Sequence, residues 1–218
     1  MARIVSAAEA AALVTDGMTV MIGGFMGCGN AHTMIDALVE AGPRELTLIC
    51  NDGAMPDYGV GKLLRQRQVR HLVASHVGLN PEVAQQHNAG ELELTLVPQG
   101  SFVEKIRSGG AGLGGVLTPT GIGTIVAEGK QVITVQGKDY LLEEPLRADV
   151  AIINGFRIDT NGNVWYKGTT RNFNVVMATA ADLVIAEADN LVQVGDIRPE
   201  NVMTPGVYVD LIVKGGRR

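Results

Sequence analysis

The chain is poor in the residues that most often anchor a core, a staple or a metal. Phe, Trp and Tyr make up 4% of its 218 residues, with a single tryptophan, so the core must be built from Val, Ile, Leu and Ala. Two cysteines, Cys28 and Cys50, supply neither a disulfide framework nor a metal-ligand spacing, and free, reduced thiols are expected. The histidines His32, His71, His76 and His87 show no metal pattern, so no metal site is expected and none of the four is given a role. Cations are not in excess: the formal net charge of −5 argues against a nucleic-acid partner, for which a basic face would be needed. A charged leader followed by an apolar run is absent, as is any stretch of membrane-spanning length, so no membrane association and a cytoplasmic location are expected.

What is abundant is aliphatic and glycine residues: 46% of the chain is hydrophobic and 28 residues are glycine. Such a composition suits a sheet covered by helices with many tight turns, organised as one domain over residues 1–218. The most informative stretch runs from Met18. Val20-Met21-Ile22 is a short apolar run bounded by Gly23, Gly24, Gly27 and Gly29, and Met34, Ile35, Leu38 and Val39 then recur at helical spacing. This is strand, glycine turn, helix. Exposed N–H groups near a helix start favour anions, so Gly23, Gly24, Phe25, Met26, Gly27, Cys28 and Gly29 form a candidate cradle for a phosphate, carboxylate or thioester oxygen. A dinucleotide fingerprint fails at its third glycine, where His32 stands, although Asp52 lies at a plausible distance for a ribose acid. Cys28, set among apolar neighbours with no paired histidine, reads as inert.

Along the chain, Ser6 and Glu9 form a capping box for an Ala-rich helix. Gly42-Pro43 ends the next helix, and Leu46 to Cys50 reads as a strand covered on both faces. A short helix at Val60, Leu63 and Leu64 precedes the basic cluster Arg65, Arg67, Arg70 and His71, which reads as a solvated face. Asn80-Pro81 starts another helix, and Leu92, Leu94 and Leu96 alternate as a strand ending at Pro98-Gln99-Gly100. Ser101 and Glu104 read as a second capping box. Gly109 to Gly115 reads either as a flexible connector or as a loop that closes over a ligand. Val132 to Val135 and Tyr140 to Leu142 form a hairpin around Gln136-Gly137. Strands at Val150–Ile153, Val164–Tyr166, Leu183–Ala186 and Val207–Val213, with a helix near Val175–Ala181, complete the chain before a polar tail from Lys214 to Arg218. The alternation predicts an open α/β fold with a mainly parallel sheet, helices on both faces and a peripheral β-hairpin.

Asp16-Gly17, Val20-Met21-Ile22, Gly23-Gly24-Phe25 and Gly29 resemble the first signature of the class I CoA-transferases, with Ala31 where that signature usually has proline. Leu96-Val97-Pro98-Gln99-Gly100, the Gly109 to Gly115 run, Leu146-Arg147-Ala148-Asp149 and Arg171-Asn172-Phe173-Asn174 extend the resemblance to the α subunits of that family over nearly the whole chain. Tyr166 to Asn174 looks most like subunits acting on short-chain acids, such as acetate or butyrate to acetoacetate CoA-transferases, with the 3-oxoadipate enzyme as runner-up. The resemblance implies the CoA-transferase type of α/β fold, with CoA as a substrate and no tightly bound cofactor. It also implies a covalent exchange between acyl-CoA and carboxylic acid substrates through a glutamate on a separate β subunit, in an α2β2 assembly. Gln99 then matches an amide that stabilises the thioester oxyanion, and residues 23–29 match the CoA turn. The alternative of another class is a non-catalytic α/β module that grips an anionic metabolite through the same turn.

Overall fold

Short aliphatic strands separated by helices have one economical solution, a parallel sheet with right-handed crossovers. The computed structural model describes residues 2–216. The first half alternates β1 (Arg3–Val5), α1 (Ala7–Ala11), β2 (Thr19–Ile22), α2 (His32–Ala41), β3 (Leu46–Ile49), α3 (Gly61–Arg65), β4 (Val69–Ala74), α4 (Pro81–Asn88), β5 (Glu93–Leu96) and α5 (Gln99–Gly110). Then come β6 (Val116–Thr118), β7 (Val132–Val135) and β8 (Lys138–Glu143), followed by β9 (Ala148–Asp159), β10 (Val164–Trp165), α6 (Asn174–Met177), β11 (Ala181–Val192) and β12 (Leu211–Lys214).

The large sheet is ordered β1-β12-β11-β9-β2-β3-β4-β5, with β10 added antiparallel to β9. Every pair along that path is parallel. Successive side chains of the central strands go to opposite faces. Val20, Ile22, Leu48 and Ile152 pack against Met34, Ile35 and Leu38 of α2, whereas Met21, Ile49 and Ile153 pack against Phe102 and Ile106 of α5. Chain order runs outward from β2 through β3 to β5, then resumes on β2's other side with β9. The β2–β9 boundary is therefore a topological switch point, where the crevice at the strands' carboxyl ends collects ligands in open α/β sheets. Gly23 lies at that point.

Several local expectations hold. Ser6 and Glu9 make their reciprocal capping bonds, Asn80 caps α4 with Pro81 following, and Gly42 adopts the left-handed conformation behind α2. Ala31 keeps φ at −80°, close to the angle proline would impose, so the turn into α2 keeps its course without the ring.

Other expectations are corrected. Ser101 and Glu104 form no capping box: α5 starts at Gln99 behind Pro98, Ser101 lies inside its first turn, and Glu104 pairs with Arg107 instead. That helix continues to Gly110, so Gly109 and Gly110 are helical, not part of a loop. Residues 207–208 belong to a 3-10 turn, and the last strand covers only Leu211–Lys214. The helix expected near Val175–Ala181 is the short α6, and its end yields directly to β11. Strands β9 and β11 are longer than their apolar centres suggested because they continue past the sheet edge, paired to each other as far as Asp159 and Val192. Strands β1 and β6 had no counterpart in the sequence reading. Of the expected polar tail, Lys214 ends β12, and Arg217 and Arg218 lie outside the described residues.

The hairpin β7–β8 is joined by β6 into a small antiparallel sheet ordered β6-β8-β7. Gln136 and Gly137 both have positive φ, the pairing a type I′ turn requires. The buried Glu143 carboxylate fastens this sheet to α5, accepting hydrogen bonds from Lys130 at 2.6 Å and Lys105 at 2.9 Å. Burial alone would raise this carboxyl's pKa, but the bonds from Lys130 and Lys105 outweigh it and hold it below the usual range.

Candidate functional site at the carboxyl edge of the sheet

After β2 the backbone makes a miniature hairpin. Phe25 and Cys28 exchange both backbone hydrogen bonds, at 3.0 and 2.9 Å, while Met26 and Gly27 both take positive φ. Gly27 is required here twice over, since a Cβ would also lie 2.1 Å from the Tyr58 ring. At Gly23 an added Cβ would lie 2.0 Å from Asn174 Oδ1. The glycines thus admit the protein's own side chains. Four of the seven N–H groups of the cradle are also committed: Gly23 donates to Ile152, Met26 to Asp52, and Phe25 and Cys28 to each other; just beyond it Asn30 donates to Gly27.

The start of α2 has its anion already. Glu187, reaching over from β11, accepts from Met34 N–H at 2.8 Å and Thr33 N–H at 3.2 Å. This carboxylate is buried, and burial pushes its pKa up against the opposing pull of those N–H groups. The expectation that a ligand's anion caps this helix is therefore corrected. Asn174 seals the turn from a second direction, accepting from Asn154 N–H and donating to the carbonyls of Gly29 and Thr170.

Gln99, expected at the end of a strand, is the first residue of α5, and its amide reaches the same edge. Its Nε2 donates to Asn51 Oδ1 at 2.7 Å. Asn51 Oδ1 also accepts from the Ser75 hydroxyl at 3.1 Å, and its Nδ2 donates to Asp52 Oδ2 at 2.8 Å. The same Asp52 oxygen accepts the Met26 N–H at 2.8 Å. A continuous hydrogen-bonded path thus joins Gln99 to the glycine turn. The acid considered for a ribose is instead a structural acceptor between two loops. Sequence reasoning gave no role to Asn51, Ser75, Asn174 or Glu187; the strand-end positions of the first two were a hint, and Asn174 lay within the Arg171–Asn174 stretch of the resemblance.

Cys28, read as inert, is exposed, and its Sγ lies 3.5 Å from Thr169 Oγ1. Cys50 is buried, and burial, with the nearby Asp52 charge, pushes its thiol pKa up. The basic cluster is neutralised away from this edge: Arg65 pairs with Asp57 and Glu82, Arg67 with Glu91, and Arg70 with Glu45. Among the described residues no group of three or more His, Cys, Asp or Glu is placed to hold a metal ion, and no helix is long and apolar enough to cross a membrane.

Two cavities flank the turn. One of about 650 Å³ lies between the turn, α5 and α6. The other, about 460 Å³, opens on the side of Tyr58, Glu187 and Asp189. Phe25 and Cys28 line the first, and Cys28 also borders the second. A glycine turn at a switch point, an amide donor tethered to it and adjoining cavities are what acyl transfer to or from a thioester asks of a scaffold.

The comparisons with known proteins agree with this arrangement. The family model for coenzyme A transferase matches residues 4–215. The chain is 49% identical to the acetate CoA-transferase subunit alpha of Escherichia coli K12 over 97% of its length and 96% of that protein's. It is 52% identical to the acetoacetyl-CoA:acetate/butyrate CoA transferase alpha subunit of Clostridium acetobutylicum, covering 91% of each. The acyl-CoA transferase of Escherichia coli O157:H7, solved as a thioester complex with CoA, superposes with a TM-score of 0.87 at 23% identity; 98% of this chain matches 47% of that one, so the chain spans about half its length. The open parallel sheet with its switch-point turn and the match along almost all of the sequence have one reading: the chain belongs to the coenzyme A transferase family.

Proposed function

We propose that this chain is the α subunit of a heteromeric CoA-transferase that moves CoA between a short-chain acyl-CoA and acetoacetate or a related acid. A β subunit contributes the nucleophilic glutamate. The observation that carries this reading is the tethered amide of Gln99. One hydrogen of its NH2 group is spent on Asn51, which fixes the plane of the amide, and the second, which has no acceptor among the described residues, is left to meet an oxyanion. Because Asn51 is itself held by Ser75 and Asp52, the donor is set before substrate arrives, the condition under which such a group is most effective.

The chain's own carboxylates support the division of labour. Glu187 caps α2, Glu143 holds two lysines, Glu9 caps α1, and Glu91 and Glu104 pair with arginines. None of these lines the cavity between the turn, α5 and α6, and Glu187, which borders the other cavity, is bonded to the N–H groups of Thr33 and Met34. Relatives at 49% and 52% identity carry the α-subunit names quoted above, and near-complete coverage of both supports the same role here. CoA enters this scheme as a substrate.

The test is purification of this chain alone and together with its β partner, followed by assay of CoA exchange between acetoacetate and short-chain acyl-CoAs. Activity is expected only in the mixture, and a trapped glutamyl thioester is expected on the partner. Sustained turnover by the lone chain, with label on one of its own glutamates, would overturn the assignment.

A further inference from the structure

The proposed role leaves the carboxylic acid substrate without a seat. The cavity of about 650 Å³ beside the turn has an uneven lining: Val103, Val175 and Val176 contribute an aliphatic floor, and Phe25 closes one side. Val176 is 7% exposed and the other two valines are half-buried, whereas the two cations of the lining, Arg107 and Arg171, are exposed at the mouth. Arg107 is balanced by Glu104, whose two carboxylate oxygens accept from its Nε at 3.2 and 3.1 Å. Arg171 has no carboxylate partner among the described residues. An apolar floor with a cationic rim is complementary to a short aliphatic acid, chain inward and carboxylate at the mouth.

We infer that this cavity binds the carboxylic acid substrate, with Arg171 as the principal carboxylate anchor and the valine floor as the gauge of chain length. The inference rests on the function proposed above and names the substrate-binding residues of that site. The orientation suits the chemistry. A carboxylate held at the rim faces outward, where a reacting glutamate from outside this chain can reach it, and stays beside the Phe25–Cys28 turn. An arginine holds both oxygens through a planar fork, so it also orients the attacking group. The floor is made by α5 and α6, and the ring of Phe102 on α5 packs against that of Phe173, the residue that leads into α6, so its shape is set by the core behind it.

The experiment uses the assembled enzyme with separate titrations of acid and acyl-CoA. Arg171→Gln is expected to raise the KM for butyrate by about 10-fold, the loss of one charge-assisted pair, while the KM for the acyl-CoA stays within about twofold. Val103→Leu, on the half-buried part of the floor, is expected to shift kcat/KM from butyrate towards acetate by about 10-fold. A rise confined to the acyl-CoA KM would assign the rim to the phosphates of CoA and overturn the inference, as would unchanged values for both substrates. A second measurement separates this inference from the proposed function. Saturation transfer from the full chain to the butyrate methyl group is expected for the unsubstituted protein and is lost in Arg171→Gln, whether or not the assembly exchanges CoA. Equal transfer to both proteins would overturn the seat while leaving the transferase assignment standing.

Discussion

Two glycine-rich segments, 23–29 and 109–115, look alike on paper and differ in the fold. The first leaves a buried strand at the switch point of the sheet, turns through the positive φ of Met26 and Gly27, and is joined by hydrogen bonds to Gln99. The second begins as the last turn of α5. A Cβ at Gly109 would lie 2.1 Å from the carbonyl oxygen of Leu146, and one at Gly110 would lie 2.1 Å from Thr179 Oγ1. These glycines let a helix touch neighbouring backbone, and the segment leads to the small sheet without touching the candidate site. Glycine density therefore marks close approach in both places, and only what surrounds the approach separates chemistry from packing.

Substitutions around the first segment are expected to alter turnover, and those around the second to alter stability. The largest effect expected is from Gln99→Ala in the assembled enzyme, a loss of about 10²–10³ in turnover, or about 3 kcal/mol in the barrier. Urea unfolding of the same variant should stay within about 0.5 kcal/mol, because the side chain lies at an exposed helix start. Unchanged turnover would remove Gln99 from the site and collapse the contrast.

Beside the second segment, Glu143→Ala removes the acceptor shared by Lys105 and Lys130 and should cost about 3 kcal/mol at neutral pH. The carboxyl is held below its ordinary value of 4.5. Its stabilisation is thus complete above that value and is lost as pH falls through the lower folded-state pKa. Unfolding midpoints of the native chain and the variant should converge on the acid side. A difference that persists in acid would place the cost in packing, not in charge.

Gly109→Ala gains helix propensity but meets a backbone carbonyl that cannot swing aside, so a net loss of about 2 kcal/mol is expected. Gly112→Ala, in the same run, has open space within 4 Å of an added Cβ and pays only for a φ of +68°, about 1 kcal/mol. Turnover per folded molecule should be unchanged in both. A stable Gly109→Ala, or one whose activity falls faster than its stability, would mean that the segment moves during the reaction.

The order of the fold was legible because hydrophobic period and turn chemistry are local. Gly42-Pro43, Asn80-Pro81 and the Gln136-Gly137 hairpin each act through their own backbone angles, and each stands where it was expected. The failures are equally physical. Ser101 and Glu104 have the spacing of a cap, but Pro98 starts the helix earlier and leaves the serine inside it. The extensions of β9 and β11 depend on pairing with each other, which no local pattern reports. At the site, residues 23–29 were singled out by the strand, glycine turn and helix pattern, and the role proposed for Gln99 came through resemblance. Asn51 and Glu187 were not singled out, and Asn174 was given no role of its own, because each acts on a partner far along the chain: Glu187 caps a helix whose bonded residues lie 153 and 154 positions away.

That carboxylate supplies the finest test of the contrast, since it stands at the first segment's edge yet is assigned to structure. Burial raises its pKa, and the N–H groups of Met34 and Thr33 work against that rise. With the folded-state value above 4.5, the folded chain holds a proton over a range in which the unfolded chain has released it. The stabilising contribution is present in full below the unfolded value and is lost as pH rises through the folded one. Glu187→Gln cannot titrate and keeps an oxygen for one of the two N–H groups. Stability of the native chain relative to this variant should therefore decline as pH is raised from about 4.5, measured as the difference of urea midpoints at a series of pH values. The assembled variant should still exchange CoA, because Glu187 is spent on the helix and not on the substrate. A difference that grows with pH would show that the helix N-terminus outweighs burial, so that the ionised form is the stabilising one. Loss of exchange from a folded, assembled Glu187→Gln would move this residue from the scaffold into the chemistry.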